Sequence, residues 1–529
     1  MDLIARPANA GDATLWMGLW REMVGTEYPD ARVYDPLWVS SDLERGDTWV
    51  VYDGACLLAS VTRLPALSIN ERPVVSLGRH LQRPGSVEAT AFLLTEMHPA
   101  EDSSSQLWIG RARAKDLEVQ QAYELAGFFV AGFQPCKHQY QGREGSVFYI
   151  HLAGASTPHA QTAVSESLGS VVQMVQWVED KFDRPSVELL CDGATGYSIQ
   201  SDCEFETVKW AEWEAQRCMW TGVGVSGYYN TGVGFLRADG EVSLCGLTAF
   251  RDGTPIGGAA YIFDSSDRCV RIYDLATRDP MDAGPILYAL LGEAEERFNA
   301  IYVEVDVSLK ATRLLKTAEQ LGFNPVACLP LPTNDQERPQ HIIKLVKLNL
   351  TFEKENHELT PSARLMADRV EKSMAEQTMG VAVINLLRKL PFFQGLGDGE
   401  LRKIATLFTQ RLVLGGDMVF DKGSAGDEAY VLVRGQVDIL LEANAAPVAT
   451  FGTGQIFGEL AFLDGSPRVA KAVATQPTIL LVVQRRAFHQ LASCEPHLGQ
   501  VVLRNIAVEL SHRLRLTNTA LLAKQRALA

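Results

Sequence analysis

The sequence predicts a multidomain α/β (α+β) protein, with two mixed α/β domains in tandem followed by a β-roll with flanking helices. Three observations carry this. The strand–helix–strand–helix order of residues 74–128 recurs over 270–323, and both copies close on Gly-Phe. From residue 381 the texture changes to short β-like runs between glycine turns. A chain of 529 residues exceeds one hydrophobic core and suits three domains or four.

The elements follow in order. TLWMGLWREMV (14–24) has helical apolar spacing. TWVVYDG and ACLLASVTRL (48–64) flank an Asp-Gly turn, a hairpin signal. VVSLGRHL (74–81) reads as a strand, VEATAFLLTEM (87–97) as a helix and LWIGRARA (107–114) as a strand. KDLEVQQAYELAGF (115–128) reads as a helix with Gly127 as its C-cap. These bound a domain at 1–152. The small, polar stretch 153–167 suits a linker.

A second domain at 168–350 repeats the order more loosely. It takes EFETVKWAEWEAQRCMW (204–220) as a helix, a hairpin around Asp252-Gly253, and a strand at 270–277. A helix at 285–298, a strand at 300–308 and a helix at 309–323 follow. The tryptophans 210, 213 and 220, at helical spacing, read as core. Residues 351–380 are charged and helix-prone, a helical linker. Residues 381–529 form the last domain, ending in an amphipathic helix over 501–525 that suits a lid or a homodimer contact.

Composition narrows the function classes. Hydrophobic residues at 47% suit a globular chain. The net charge, 49 − 64 = −15, without a long Lys/Arg block, argues against nucleic acid and anionic membrane as partners. No apolar run of about 18 residues suggests a membrane span, and the N-terminus lacks a secretory pattern. The nine cysteines are scattered with no CxxC pair, which suits reduced thiols in a cytoplasmic protein without a metal site.

FGELAFLDGSPRVA (457–470) sets Gly458 and Glu459 nine residues before Arg468, between β-like runs. A phosphate inside a β-roll needs free backbone N–H groups and a cation; a ribose hydroxyl needs an acceptor. Gly458 lets backbone approach a ligand, Arg468 supplies charge, and Glu459 can accept. With GDEAYVLVRGQVDI (426–439), this stretch resembles the cyclic nucleotide-binding domain and its phosphate-binding cassette. The resemblance covers 385–525. It implies that Glu459 takes the ribose 2′-hydroxyl, Arg468 the cyclic phosphate, and the backbone of Gly458, Glu459 and Leu460 the rest, with Val469 and Ala470 lining the pocket. Lys471 stands where the family often has Thr or Ser, which leaves cAMP and cGMP both open as the regulatory ligand.

The 74–128 order, with Gln82-Arg83-Pro84-Gly85-Ser86-Val87 between strand and helix, resembles the GNAT acetyltransferase superfamily. The resemblance implies that Gln82, Gly85 and Ser86 hold the pyrophosphate of acetyl-CoA, and that Tyr123 in YELAGF protonates the leaving thiolate. Val87 departs from the pattern, and Pro84 removes a donor. Glu88, Glu96 and His80 lie near the loop in sequence, without a readable general base among them. In the second copy the loop reads Met281-Asp282-Ala283-Gly284-Pro285-Ile286 and the tyrosine position is Ala318, so its chemistry looks stripped.

Two readings follow. One is a cyclic-nucleotide-regulated N-acyltransferase that acetylates an amine such as a protein lysine, similar to bacterial protein lysine acetyltransferases that fuse these domain types. The other is a non-enzymatic cyclic-nucleotide sensor or scaffold whose GNAT-like domains bind a protein partner.

Overall fold

The computed structural model describes residues 2–528 apart from 27–30, 65–73, 98–105, 140–142, 154–163, 166–168, 182–188, 191–195, 219, 221–241, 266, 310, 332–339, 350–356, 406 and 443–445. The chain divides into two compact units, Met1–Ala375 and Glu376–Ala529. The 153–167 linker expectation falls mostly outside the described residues.

In the first unit, β1 (Leu3–Pro7), α1 (Ala13–Val24), α2 (Pro36–Leu43), β2 (Thr48–Asp53) and β3 (Cys56–Leu64) lead to β4 (Val74–Gln82), α3 (Val87–Met97) and β5 (Gln106–Arg113). Then come α4 (Leu117–Leu125), β6 (Phe129–Gln139) and β7 (Arg143–Ala153). A two-residue pair, β8 (Val164–Ser165) and β9 (Leu189–Leu190), flanks α5 (Gly169–Lys181). The second half holds β10 (Glu204–Lys209), α6 (Trp210–Cys218), β11 (Val242–Arg251), β12 (Thr254–Asp264), β13 (Cys269–Thr277) and α7 (Ala283–Glu296). It closes with β14 (Tyr302–Ser308), α8 (Thr312–Gln320), β15 (Asn324–Leu331) and β16 (Gln340–Leu348).

These strands make one 14-stranded sheet in the order β1-β2-β3-β4-β5-β7-β6-β15-β16-β14-β13-β12-β11-β10. Read outward from its centre, each half has the same order, so the repeat seen in the sequence is a repeat in topology. The halves meet where β6 pairs β15 at Gly132 and Ala327. A Cβ on Gly132 would lie 2.2 Å from that of Ala327, so only glycine permits the junction. One hydrophobic core runs through both halves.

The parallel pairs decide where space opens. β4 and β5 pair only over Val74–Ser76 and Leu107–Ile109, then part. Facing β3, β4 carries a bulge at Arg79 and His80, with Arg79 at φ 47°, which re-aims these side chains. β13 and β14 likewise pair over three residues and separate.

The structure corrects two local expectations. The helix expected over 204–220 begins only at Trp210. Residues 204–209 pair with β11 as the edge strand of the sheet, burying Val208 and keeping Glu206 and Lys209 in solvent. The loop expected over 281–286 ends sooner: Asp279 caps a short turn at Pro280–Asp282, and Ala283 already begins α7. Trp213 and Trp220 are core, 5.6 Å apart between ring centres. The charged connector is α9 (Pro361–Lys389), which crosses the boundary between the units.

The second unit holds α10 (Asp398–Ala405), β17 (Phe408–Val413), β18 (Met418–Phe420), β19 (Glu428–Arg434), β20 (Gln436–Leu440), β21 (Ala449–Gly452) and β22 (Ile456–Phe457). It continues through α11 (Glu459–Asp464), β23 (Lys471–Ala474), β24 (Thr478–Gln484), α12 (Arg485–Cys494) and α13 (Pro496–Leu528). Its strands form two four-stranded sheets, β17-β24-β19-β22 and β18-β23-β20-β21, with helices at either end of the chain segment, the β-roll the sequence predicts. Among the described residues no helix is long and apolar enough to cross a membrane.

Candidate functional site

In the second unit Gly458 and Arg468, two of the expected pocket residues, meet. Gly458 takes φ 79° immediately before α11, which any side chain would oppose. A Cβ there would also meet Arg468 Nη1 at 2.9 Å and the Tyr430 ring at 3.1 Å. Arg468 is 4% exposed. Its Nη1 donates to the Gly458 carbonyl at 2.8 Å and its Nη2 to the Glu428 carbonyl at 2.6 Å, while Phe420 stacks on the guanidinium at 4.3 Å. Its Nε is buried without a hydrogen-bond partner among the described residues. Backbone bonds to Ser424 and from Gly423 fix its position.

The nearby carboxylate of Glu428 is occupied elsewhere, accepting from Arg411 at 2.9 and 3.0 Å, Tyr430 at 2.6 Å and Gln484 at 2.6 Å. Burial works to raise its pKa, but the bonds from Tyr430 and Arg411 prevail and hold it below the usual range. Arg468 therefore donates to neutral carbonyls rather than to the Glu428 carboxylate. Burial pulls its pKa down, yet a guanidinium stays charged at neutral pH.

Glu459 is buried and borders a small apolar cavity with Phe462, Phe488, Val502 and Ile506, the last two from α13. Ala470 is buried, whereas Leu460 and Val469 present their side chains to solvent.

In the first unit the gap between β4 and β5 opens into a cavity of about 770 Å³. His80, Gln82, Pro84, Arg111, Lys137, Arg271 and the first residues of α4 line it. That volume is in the range of small-molecule sites. Tyr123 of α4 is fully buried and shares a short hydrogen bond with His80 Nε2. The ring fits because Gly110 faces it: a Cβ there would lie 2.2 Å from the tyrosine. Burial drives the Tyr123 pKa well above its ordinary value and pushes that of His80 down to about 3, so both are neutral at pH 7.

Gln82 and Ser86 are buried, and Gly85, at φ 77°, is exposed. A residue that sequence reasoning missed meets this turn. The Glu118 carboxylate accepts from Gly85 N at 2.9 and 3.1 Å and from Gln82 Nε2 at 3.0 Å. His80 joins the site; Glu88 and Glu96 are absent from the cavity lining.

The second half closes its own gap. Tyr197 N donates to Thr317 Oγ1 at 2.7 Å, and Arg313 stacks on the Tyr197 ring at 4.4 Å. The Ser198 carbonyl sits 2.2 Å from where a Cβ on Gly284 would be. Asp282, at the start of α7, is tied to Arg251 at 2.8 Å.

Residues 410–493 match the family described as the cyclic nucleotide-binding domain. The chain is 33% identical over 128 residues to a cyclic AMP receptor protein of Thermus thermophilus, covering 24% of this chain and 57% of that one. It is 32% identical over 124 residues to a cyclic nucleotide-gated potassium channel of Rhizobium etli, covering 23% of this chain and 34% of the channel. It is 30% identical over 105 residues to a cAMP-dependent protein kinase regulatory subunit of Yarrowia lipolytica, covering 20% and 28% respectively. It thus spans between about a quarter and just over half of these relatives' lengths. A crystal structure of a cyclic nucleotide-binding domain from Methylobacillus flagellatus aligns at a TM-score of 0.26 with 27% identity, over 28% of this chain and 84% of that one. The second unit carries a cyclic nucleotide-binding domain.

Proposed function

We propose that this chain is a cyclic-nucleotide-regulated N-acyltransferase. The second unit takes cAMP or cGMP: Arg468 meets the cyclic phosphate and Glu459 the ribose. The names of the relatives, a cyclic AMP receptor protein and a cAMP-dependent kinase subunit among them, support the ligand class. The first unit moves an acetyl group from acetyl-CoA to an amine. The observation that carries this half is the hydrogen bond from the buried Tyr123 to His80, a histidine that lines a cavity together with Gln82 and Pro84.

Acetyl-CoA supplies a thioester activated toward amines. As the C–N bond forms and the C–S bond breaks, the Tyr123 hydroxyl proton goes to the leaving sulfur, and the surplus proton of the amine restores the phenol. A neutral His80 that donates from Nε2 to the Tyr123 oxygen frees that hydroxyl to point at the sulfur. Gln82 and the Gly85 N–H suit a pyrophosphate once Glu118 lets go of them, because a carboxylate and a phosphate compete for the same donors.

The connector supports regulation. Gln120 Nε2 of α4 donates to the Glu358 carbonyl at 2.9 Å, Thr360 N donates to Gln120 Oε1 at 3.1 Å, and Thr360 Oγ1 donates to Glu124 at 2.6 Å. The start of α9 is therefore fastened to the helix that bears Glu118 and Tyr123. Nucleotide-dependent movement of α9 would bias that helix, a coupling typically worth about 1–3 kcal/mol.

The occupied turn and the closed second half favour the alternative, a cyclic-nucleotide-sensing scaffold with a protein partner. Calorimetry with acetyl-CoA, with and without saturating cAMP, separates the two. Binding that strengthens with cAMP, and no longer responds in an Arg468→Gln variant, supports the regulated enzyme. Failure of acetyl-CoA to bind in either condition, while cAMP binds, leaves the scaffold. Arg468→Gln itself should weaken cAMP about 10–100-fold.

A further inference from the structure

Backbone strain places one side chain of the first-unit cavity. Arg79 and His80 form the bulge of β4 against β3, and Arg79 holds φ 47°, a region that residues other than glycine seldom enter. Asp42 at 2.6 Å and the Trp38 ring at 5.5 Å keep Arg79 there. Such strain persists only where the surroundings impose it, and it gathers at sites of function. Its result here is His80 on the cavity wall.

The two nitrogens of that imidazole differ. Nε2 shares a short hydrogen bond with Tyr123, which lies behind the ring and is itself held by stacking on Tyr149 at 5.0 Å between ring centres. Nδ1 is buried without a hydrogen-bond partner among the described residues. With the proton on Nε2, a lone pair goes unmatched at Nδ1. With the proton on Nδ1, a buried N–H would go unmatched, the costlier loss. The ring therefore presents an acceptor. The carboxylates of the cavity are less suited to take a proton from a ligand. Glu118 holds the Gly85 turn, Glu144 pairs with Arg113, Asp116 caps α4, Asp267 meets His138 and Asp264 accepts from Asp267 N, while Glu358 is exposed.

We infer that His80 Nδ1 takes the proton of the acceptor amine and that the ring passes its own Nε2 proton to Tyr123. This rests on the acyltransferase reading and supplies the route by which the surplus proton reaches the phenol. As the amine nitrogen bonds to the acetyl carbon and the C–S bond breaks, an N–H proton moves to Nδ1, the Nε2 proton moves to the Tyr123 oxygen, and the Tyr123 hydroxyl proton goes to sulfur. The imidazole exchanges one neutral tautomer for the other, and water in the emptied cavity restores the first. No imidazolium forms, so the burial that pulls the His80 pKa down to about 3 does not oppose the step. The acceptor reacts as a neutral amine with an N–H toward β4.

The test is nitrogen NMR on the full chain with isotope-labelled histidine rings. His80 is the histidine whose ring signals shift in Tyr123→Phe; if none shifts, the bond and the inference both fail. At pH 7 His80 should show a protonated Nε2 and a bare Nδ1. The reverse tautomer or an imidazolium would overturn the inference. Turnover is then read as thiol release from acetyl-CoA with n-butylamine as the acceptor. His80→Gln keeps an N–H for Tyr123 but cannot exchange tautomers. Its kcat should fall about 10²-fold or more while calorimetry finds acetyl-CoA affinity unchanged. Imidazole added to His80→Ala should return part of the lost rate. A His80→Gln rate within about threefold of the unchanged protein, or a loss that imidazole does not relieve, counts against the relay. If n-butylamine is not used at all, or a variant does not fold, the tautomer decides. Acetyl-CoA that fails to bind removes the acyltransferase reading and the relay with it; acetyl-CoA that binds to a chain with the wrong tautomer removes the relay alone.

Discussion

Counting back from the cap glycines Gly127 and Gly322, Tyr123 corresponds to Ala318 and Gly110 to Val305. The first half of the sheet thus pairs a large residue on its helix with an empty position on its strand, and the second half reverses the two. Both choices fill a core, since Tyr123, Ala318 and Val305 are all buried. Only the first ties a buried hydroxyl to a residue of the cavity wall, His80. The second half also lays Tyr197 and Ser198 over the start of its own helix α7, where the first leaves the Gly85 N–H exposed to Glu118. Identical topology fixes where a gap can form, and a few side chains decide whether it is a site.

The largest effect should come from making the first half resemble the second. Tyr123→Phe keeps the packing against Gly110 and removes only the proton. Acetyl transfer should fall about 10²–10⁴-fold, with acetyl-CoA affinity nearly unchanged. The converse change, Ala318→Tyr, meets Val305 and the closed gap. It should leave the rate alone and destabilise the first unit by about 1–3 kcal/mol through overpacking. Because all nine tryptophans lie between residues 16 and 220, fluorescence unfolding reports on that unit alone. A Tyr123→Phe protein with full turnover would remove the proposed acid.

A smaller effect concerns the occupied turn. Glu118→Gln keeps an acceptor for Gly85 N but removes the charge that opposes a pyrophosphate. Acetyl-CoA should bind about tenfold more tightly to this variant in calorimetry, a change of about 1.4 kcal/mol. Weaker binding would mean that Glu118 holds the loop in its productive shape. If affinity does not change, the phosphates bind elsewhere and the correspondence between this turn and a phosphate cradle fails.

The contrast between the units explains what the sequence made legible. The candidate nucleotide pocket lies in one run, 457–470, in which a left-handed glycine, a carboxylate and an arginine are set by local spacing, and Arg468 does reach the Gly458 carbonyl. The cavity is assembled across the chain. His80 and Gln82 come from β4, Arg111 from β5, Glu118 from α4, and Arg271 from β13 after the chain has crossed the whole sheet, while Tyr123 of α4 lies behind His80. Tyr123 was visible because it sits beside a cap glycine. Glu118 had no signal: an acid in the first turn of a helix is ordinary, and only the parting of β4 from β5 sets it on Gly85. The edge strand at 204–209 reads as helix in the sequence because Trp210 and Trp213 continue an apolar spacing into a charged segment that the sheet claims by pairing.

The smallest effect tests His80 against its counterpart. His80 is the seventh residue of the nine in β4; Leu275 is the seventh of nine in β13. In the fold His80 resists protonation until about pH 3, whereas in the unfolded chain it takes a proton near its ordinary 6.5. Between those values the unfolded state binds more protons, so stability is greatest above 6.5 and falls as the pH drops toward 3. His80 keeps some surface on the cavity wall, so water there softens the effect to about 1 kcal/mol between pH 7.5 and 5.5. His80→Leu imports the residue of the second half and should flatten that part of the profile in denaturant unfolding followed by tryptophan fluorescence. Parallel profiles for the two proteins would mean that His80 titrates freely. Its bond to Tyr123 would then place no lasting constraint on the proton that the transfer step requires.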